Sequence, residues 1–227
     1  MSGRTPVLRG QVVSDAVAAL PPWLAHLADI VAGTRTENLT RFVPPAEGGR
    51  DSAVLVLFGP DDGEPPGDLL VIERAHTMRS HAGQPAFPGG AVEAGDDGAV
   101  AAALREADEE VGLVADGVTV FATLPDLYVP VSGFVVTPVL GWWHTPSPVY
   151  VKDPSEVASV HRVALAELID PANRYRVRHP SGYVGNGFAV RDLLIWGFTA
   201  GIISGILDLA GWSVPWDRAR IRHLEVP

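Results

Sequence analysis

The sequence predicts an α/β chain, and three observations carry that prediction. Residues 53–58, 69–74, 118–123 and 134–143 are apolar runs bounded by turn residues, the pattern of buried strands. Between the second and third runs, Val100, Leu104, Ala107 and Val111 recur at helical spacing and would seat a helix of about four turns on a core. Residues 191–210 form a second apolar stretch of helix length.

In chain order, residues 1–48 form an N-terminal extension with helical potential. Ser14 and Asp15 can cap a short helix, and Pro21-Pro22 stop it and start the next, over 23–32. Trp23, Leu24, Leu27, Ile30 and Val31 share one face, suited to packing on the domain or, as the alternative, to recognising an acyl chain or a partner. Residues 44–51 read as a linker. The strands at 53–58 and 69–74 flank a DDGEPPG loop and are expected to pair as an antiparallel hairpin. A loop at 125–133 separates the next two strands and can border a substrate site. Trp142 and Trp143 read as core more than as a stacking surface.

Residues 152–165 begin with turn chemistry, continue as a strand and lead into a short helix at 166–169. Residues 175–190 suit one hairpin. In the stretch 191–210, Gly197, Gly201 and Gly205 stand four apart. Each mid-helix Gly costs about 1 kcal/mol against Ala, so the stripe is expected to permit close approach, to the sheet or across a homodimer. Residues 213–227 read as an irregular tail. Gly185-Asn186-Gly187 lacks the third glycine and the strand–helix setting of a dinucleotide fingerprint.

Composition narrows the function. The 227 residues hold no cysteine, which excludes disulfides, thiolate catalysis and Cys-based zinc sites. A net charge of −10 argues against nucleic-acid and anionic-membrane partners. The longest apolar run, 193–207, falls short of the roughly 20 residues of a spanning helix. No signal-peptide pattern opens the sequence, so a cytoplasmic location is expected.

The chemistry concentrates between residues 74 and 113. At roughly 100° per residue, Glu106, Glu109 and Glu110 fall within one arc of the predicted helix. Such a triplet repels itself unless a cation or a proton intervenes. Oxygen ligands suit Mg²⁺ first and Mn²⁺ second; the alternative is a solvated acidic face. Gly89-Gly90 can turn tightly, Asp96 and Asp97 stand where a cap belongs, and Arg105 can pair with one of them. Upstream, RAHTMRSHAGQPAFPGG holds Arg74 and Arg79, suited to phosphate, and His76 and His81, which either donate to phosphate or cap loop carbonyls. The absence of an HExxH pattern argues against zinc.

These residues resemble the Nudix box, G-x5-E-x7-R-E-U-x-E-E-x-G-U. Gly90, Arg105-Glu106, Glu109-Glu110, Gly112 and Leu113 match it. Asp96 replaces the first Glu, eight residues rather than seven precede Arg105, and Ala107 is a small U residue. Helix spacing is rigid and a Gly-rich loop absorbs an insertion, which favours Asp97 as the partner of Arg105. The stretch before the box is similar to the signature of the coenzyme A pyrophosphatase branch, with Leu70, Arg74, Ala75, Arg79, Gly83 and Phe87-Pro88-Gly89-Gly90 in register, and Val71-Ile72 departing from it.

The resemblance implies a Nudix fold, a mixed sheet flanked by helices, spanning residues 49–212 including the C-terminal apolar helix. It implies Mg²⁺- or Mn²⁺-dependent hydrolysis of a small CoA-like diphosphate to 3′,5′-ADP and a 4′-phosphopantetheine product. The implied catalytic residues are Glu106, Arg105, Glu109 and Glu110. The implied metal set is Glu106, Glu109, Glu110, Gly90 and a distal Glu156, the last equally readable as an ordinary exposed glutamate. Arg74, Arg79, His81 and Phe87 would meet substrate. NADH or ADP-ribose hydrolysis and a non-catalytic sensing module are the alternatives, the latter disfavoured by the intact glutamate triplet.

Overall fold

The computed structural model describes residues 6–40, 42–63, 66–78 and 81–224. In chain order the elements are β1 (Gln11–Val12), α1 (Ser14–Val17), α2 (Pro22–Val31), α3 (Thr36–Leu39), β2 (Arg50–Gly59), β3 (Asp68–Arg74), β4 (Pro85–Ala86) and β5 (Gly89–Ala91). There follow α4 (Gly98–Val111), β6 (Val118–Thr123), β7 (Leu127–Val129), β8 (Phe134–Trp143), β9 (Val157–Ala164) and α5 (Leu165–Ile169). The chain ends with β10 (Arg174–Arg178), β11 (Val184–Val190), β12 (Leu193–Ile195), α6 (Gly197–Leu209) and β13 (Ile221–His223).

Among the described residues, nine strands form the main sheet in the order β1-β6-β8-β2-β3-β4, with β5 on β2, β7 on β8 and β9 on β3. It is a mixed sheet: β2 and β8 run parallel and the other pairs antiparallel. The expected hairpin of β2 and β3 exists only at its closed end, where Phe58 faces Leu69. Beyond that point the strands part, β2 taking β5 as its neighbour and β3 taking β9. The strand β3 is buried from Asp68 to Ile72, as a run without alternation requires.

Both faces of the sheet are covered. On one face α4 brings Ala102, Ala103, Ala107 and Val111 against Leu55, Leu57, Leu70 and Ile72. Those alanines hold the helix axis close to the strands, so the glutamates beside them stay near the sheet. On the other face α2 and α6 pack over Val56, Phe58, Leu69 and Val71, together with a smaller sheet, β12-β11-β10-β13. The apolar face of α2 is thereby spent on the core. Trp23 packs 5.9 Å from Phe58, 5.9 Å from Trp142 and 5.6 Å from Trp212 between ring centroids. Buried Asp126 ties the N-terminal segment down by accepting from the Val7 N–H at 2.7 Å and the Thr137 hydroxyl at 2.6 Å.

Several sequence expectations are corrected. Val13, not Ser14, precedes the first turn of α1, and no side chain caps it. The stretch read as one helix from 191 divides in two. Arg191 turns with φ 53°, β12 pairs with β11, and the helix starts only at Gly197. Of the glycine stripe only Gly205 meets a neighbour, the Leu39 side chain of α3, while a Cβ at Gly201 would face open space. The 125–133 loop contains β7, and the tail read as irregular contributes β13, parallel to β10. Among the described residues no helix is long and apolar enough to cross a membrane.

Candidate active site

The acidic centre forms where β5, α4 and the start of β9 meet. Gly89 takes φ 156°, and a Cβ there would strike the Ala53 carbonyl oxygen. The absence of a side chain lets β5 lie against β2, and the Gly89 N–H then donates to Glu110 Oε2 at 3.0 Å. At Gly90 a Cβ would fall on the Glu106 carboxylate, so the bare backbone brings the loop against that side chain. At the far end of α4, Gly112 adopts the left-handed φ of 69° that ends the helix.

Arg105 holds the near end. Its five N–H groups find five acceptors: Nε and Nη2 donate to the two oxygens of Asp96, Nη1 to Glu106 Oε1 and Glu109 Oε2, and Nη2 also to the Ala91 carbonyl. A fully used guanidinium fixes both loop and glutamates. The partner is Asp96, not the Asp97 favoured from spacing. The Asp96 carboxylate also accepts from the Glu93 N–H at 2.8 Å, closing a turn. The extra residue is taken up after it, at Asp97 and at Gly98 with φ 79°. Asp97 makes no side-chain capping bond. The Arg105 contact, then the Glu93 N–H, hold the Asp96 carboxyl below its ordinary range.

The glutamates differ in setting. Glu109 is exposed, Glu106 is partly buried, and Glu110 is 2% exposed. Burial raises the Glu106 carboxyl above its ordinary value against the opposing charge of Arg105. Burial pushes Glu110 up to about 8, although the Gly89 N–H and the charge of Arg74 oppose it. Glu156 contributes to both upward shifts, so its charge enters the same field. The path that brings it there was illegible in the sequence. The N–H groups of Tyr150 and Lys152 donate to the last carbonyls of α4, Val111 and Glu110, and Lys152 pairs with Asp108 at 2.7 Å. The Glu156 carbonyl then accepts from Ala75 at 2.7 Å, next to Arg74.

A NUDIX domain family model matches residues 49–181. This chain belongs to the Nudix family. A Nudix hydrolase NudL of Cronobacter sakazakii, described as uncharacterized, is 43% identical over 161 residues, covering 68% of this chain and 79% of that one. NudL of Escherichia coli K12, likewise described as uncharacterized, is 40% identical over 161 residues, covering the same 68% and 79%. The crystal structure of the Nudix hydrolase RenU from M. smegmatis shares the fold, with a TM-score of 0.50 at 20% identity over 75% of this chain and 91% of that one. The chain is thus a Nudix pyrophosphohydrolase.

Nudix hydrolases generally use divalent cations, and the residues here fit one. Glu110 Oε1 is buried without a hydrogen-bond partner, and beyond burial the negative charge of Glu156 pushes the carboxyls of both Glu106 and Glu110 upward. A hard cation relieves both conditions. Among the described residues no three carboxylates or imidazoles are grouped to hold a metal, because Arg105 stands between Glu106 and Glu109 and Glu110 turns toward Gly89.

The expected substrate residues separate. The charge of Arg74 acts on Glu110, at the Nudix centre. The exposed His81 ring bonds Gln84 at 2.9 Å and serves its own turn, with φ 58°. Phe87 is 2% exposed and packs in the core on the sheet face opposite α4, so it offers substrate no surface; this corrects the sequence expectation. Arg79 lies outside the described residues.

Proposed function

We propose that this Nudix enzyme hydrolyses the diphosphate linkage of coenzyme A or an acyl-CoA, yielding 3′,5′-ADP and a 4′-phosphopantetheine product, with Mg²⁺ or Mn²⁺. One observation supports the reading above others: the signature stretch folds back onto the glutamate centre. The Arg74 N–H donates to the Gln84 carbonyl at 3.1 Å and the Gly83 N–H to the Arg74 carbonyl at 3.0 Å, closing a loop. Both ends of the stretch from Arg74 to Gly90 sit beside the site, Arg74 through its charge on Glu110 and Gly89-Gly90 through contact with Glu110 and Glu106.

Glu106, Glu109, Glu110 and the Gly90 backbone would hold the cation, with Glu156 adding charge beside them. When bound, the cation supplies positive charge that neutralises the diphosphate. Glu106 orients the attacking water and takes its proton as the new P–O bond forms and the bridging P–O bond breaks. Arg105 and Asp96 keep the glutamates in place. Arg74 and Arg79 bind phosphate oxygens.

The test is to incubate the purified protein with Mg²⁺ or Mn²⁺ and CoA, acyl-CoAs, NADH and ADP-ribose, and to identify products by mass. CoA is expected to give the two named products. Intact CoA beside cleaved NADH or ADP-ribose would overturn the substrate assignment.

A further inference from the structure

A second built feature lies on the sheet face opposite α4, between the small sheet and α6. It is an open cleft of about 350 Å³, lined by Arg174, Arg176, Arg218, Asn186, Ser204 and Trp216. Arg174 is 1% exposed, yet among the described residues neither it nor Arg176 or Arg218 forms an ion pair with a carboxylate. Its Nη1 donates to Ser213 Oγ at 2.8 Å and its Nη2 to Ser204 Oγ at 3.0 Å, while Nε is buried without a partner. Arg176 Nε is likewise buried and unpartnered.

Buried charges are ordinarily paired, because desolvation costs several kcal/mol per ion. Here burial pushes the Arg174 guanidinium down from its ordinary value, with Asp208 opposing from a distance. The Phe188 and Trp216 rings, 5.1 Å and 5.0 Å from the guanidinium, offset part of that cost. A purely structural sandwich accounts for Arg174 and for Arg218, whose guanidinium lies 5.8 Å from the same Trp216 ring. It leaves unexplained why Arg176, whose Nη2 donates to the Val184 carbonyl at 3.3 Å while its buried Nε has no partner, lines the same cleft, and why Gly201 keeps α6 bare there.

Against the three arginines the cleft sets one carboxylate, Asp208, so two formal positive charges remain in a chain of net charge −10. That balance suits a dianion, and guanidinium forks suit phosphoryl oxygens. We propose that the cleft is a binding site for a small phosphate monoester, held by Arg174, Arg176 and Arg218 and separate from the Nudix centre. Asn186 braces it by donating to Ser204 Oγ at 2.9 Å.

The test is calorimetric titration of the full chain with inorganic phosphate and with glycerol 3-phosphate, in metal-free buffer. Both are expected to bind at one site. Arg176→Gln and Arg218→Gln should each weaken binding about tenfold, the loss of one charge-assisted contact. Gly201→Glu should abolish it by placing a carboxylate in the open cleft. These three variants avoid Arg174, whose removal endangers folding, and circular dichroism checks each fold. No binding by either probe, binding that survives a folded Arg176→Gln/Arg218→Gln double variant, or binding lost in Glu109→Gln would overturn the proposal. Malonate binding as tightly as phosphate would overturn its chemical class.

Discussion

Arg105 and Asp96 meet fork on fork, Nε to Oδ1 and Nη2 to Oδ2, both at 3.0 Å. Because the remaining N–H groups of the same guanidinium reach Glu106, Glu109 and the Ala91 carbonyl, this pair sets the distance between loop and helix. Asp96→Asn is expected to cost about 10–100-fold in turnover, the usual scale for residues that orient metal ligands. Asp97→Asn, with no capping bond to lose, should leave turnover and melting within error. Steady-state kinetics and melts of the two variants check this.

Glu110 carries a pH signature. Its carboxyl sits near 8 in the folded chain and near the ordinary 4.5 in the unfolded one. Below about 4.5 both states hold the proton. Above it only the folded state does, so this contribution to apo stability falls as pH rises and is gone above about 8. The loss is on the order of a few kcal/mol. Urea melts in EDTA between pH 5 and 9 should show the decline, and Glu110→Gln should flatten it while removing most turnover at saturating Mg²⁺. Metal binding should tighten with pH over the same range and release protons.

The two glycines of β5 should respond differently to alanine. Gly90→Ala puts a methyl group on the Glu106 carboxylate without a positive-φ penalty. It should lower kcat by about 100-fold, the effect of a misplacement near 1 Å, with little change in melting. Gly89→Ala drives a Cβ into the β2 backbone at φ 156° and should destabilise the fold itself. Parallel melts and kinetics separate the two.

Arg79 stands in the signature at a position suited to phosphate. Arg79→Ala should raise KM for CoA more than KM for dephospho-CoA, which lacks the 3′-phosphate. Equal effects on both would remove that assignment.

Local features were legible in the sequence and relational ones were not. The helix α4 and its glutamate arc followed from spacing alone, because helical period fixes direction. The choice between Asp96 and Asp97 depended on where the loop absorbed a residue, decided by the φ of Gly98. Phe87 matched a motif, yet a motif gives residue type and not the side of the sheet its side chain enters. Strand runs marked burial without naming neighbours, so the parallel β2–β8 pairing and the docking of Glu156 stayed hidden. Residues 191–196 were lost in an apolar run because strand and helix look alike at that length.

The indole contacts among Trp23, Trp142 and Trp212 make the two extremities of the chain mutually dependent. A fragment started at residue 49 would bare the patch that Trp23, Leu24 and Leu27 cover, and should aggregate rather than behave as a trimmed catalytic unit. A stop codon before Trp212 would loosen α2 at the opposite terminus. Tryptophan emission therefore reports the release of either end, and limited proteolysis at one should be visible at the other.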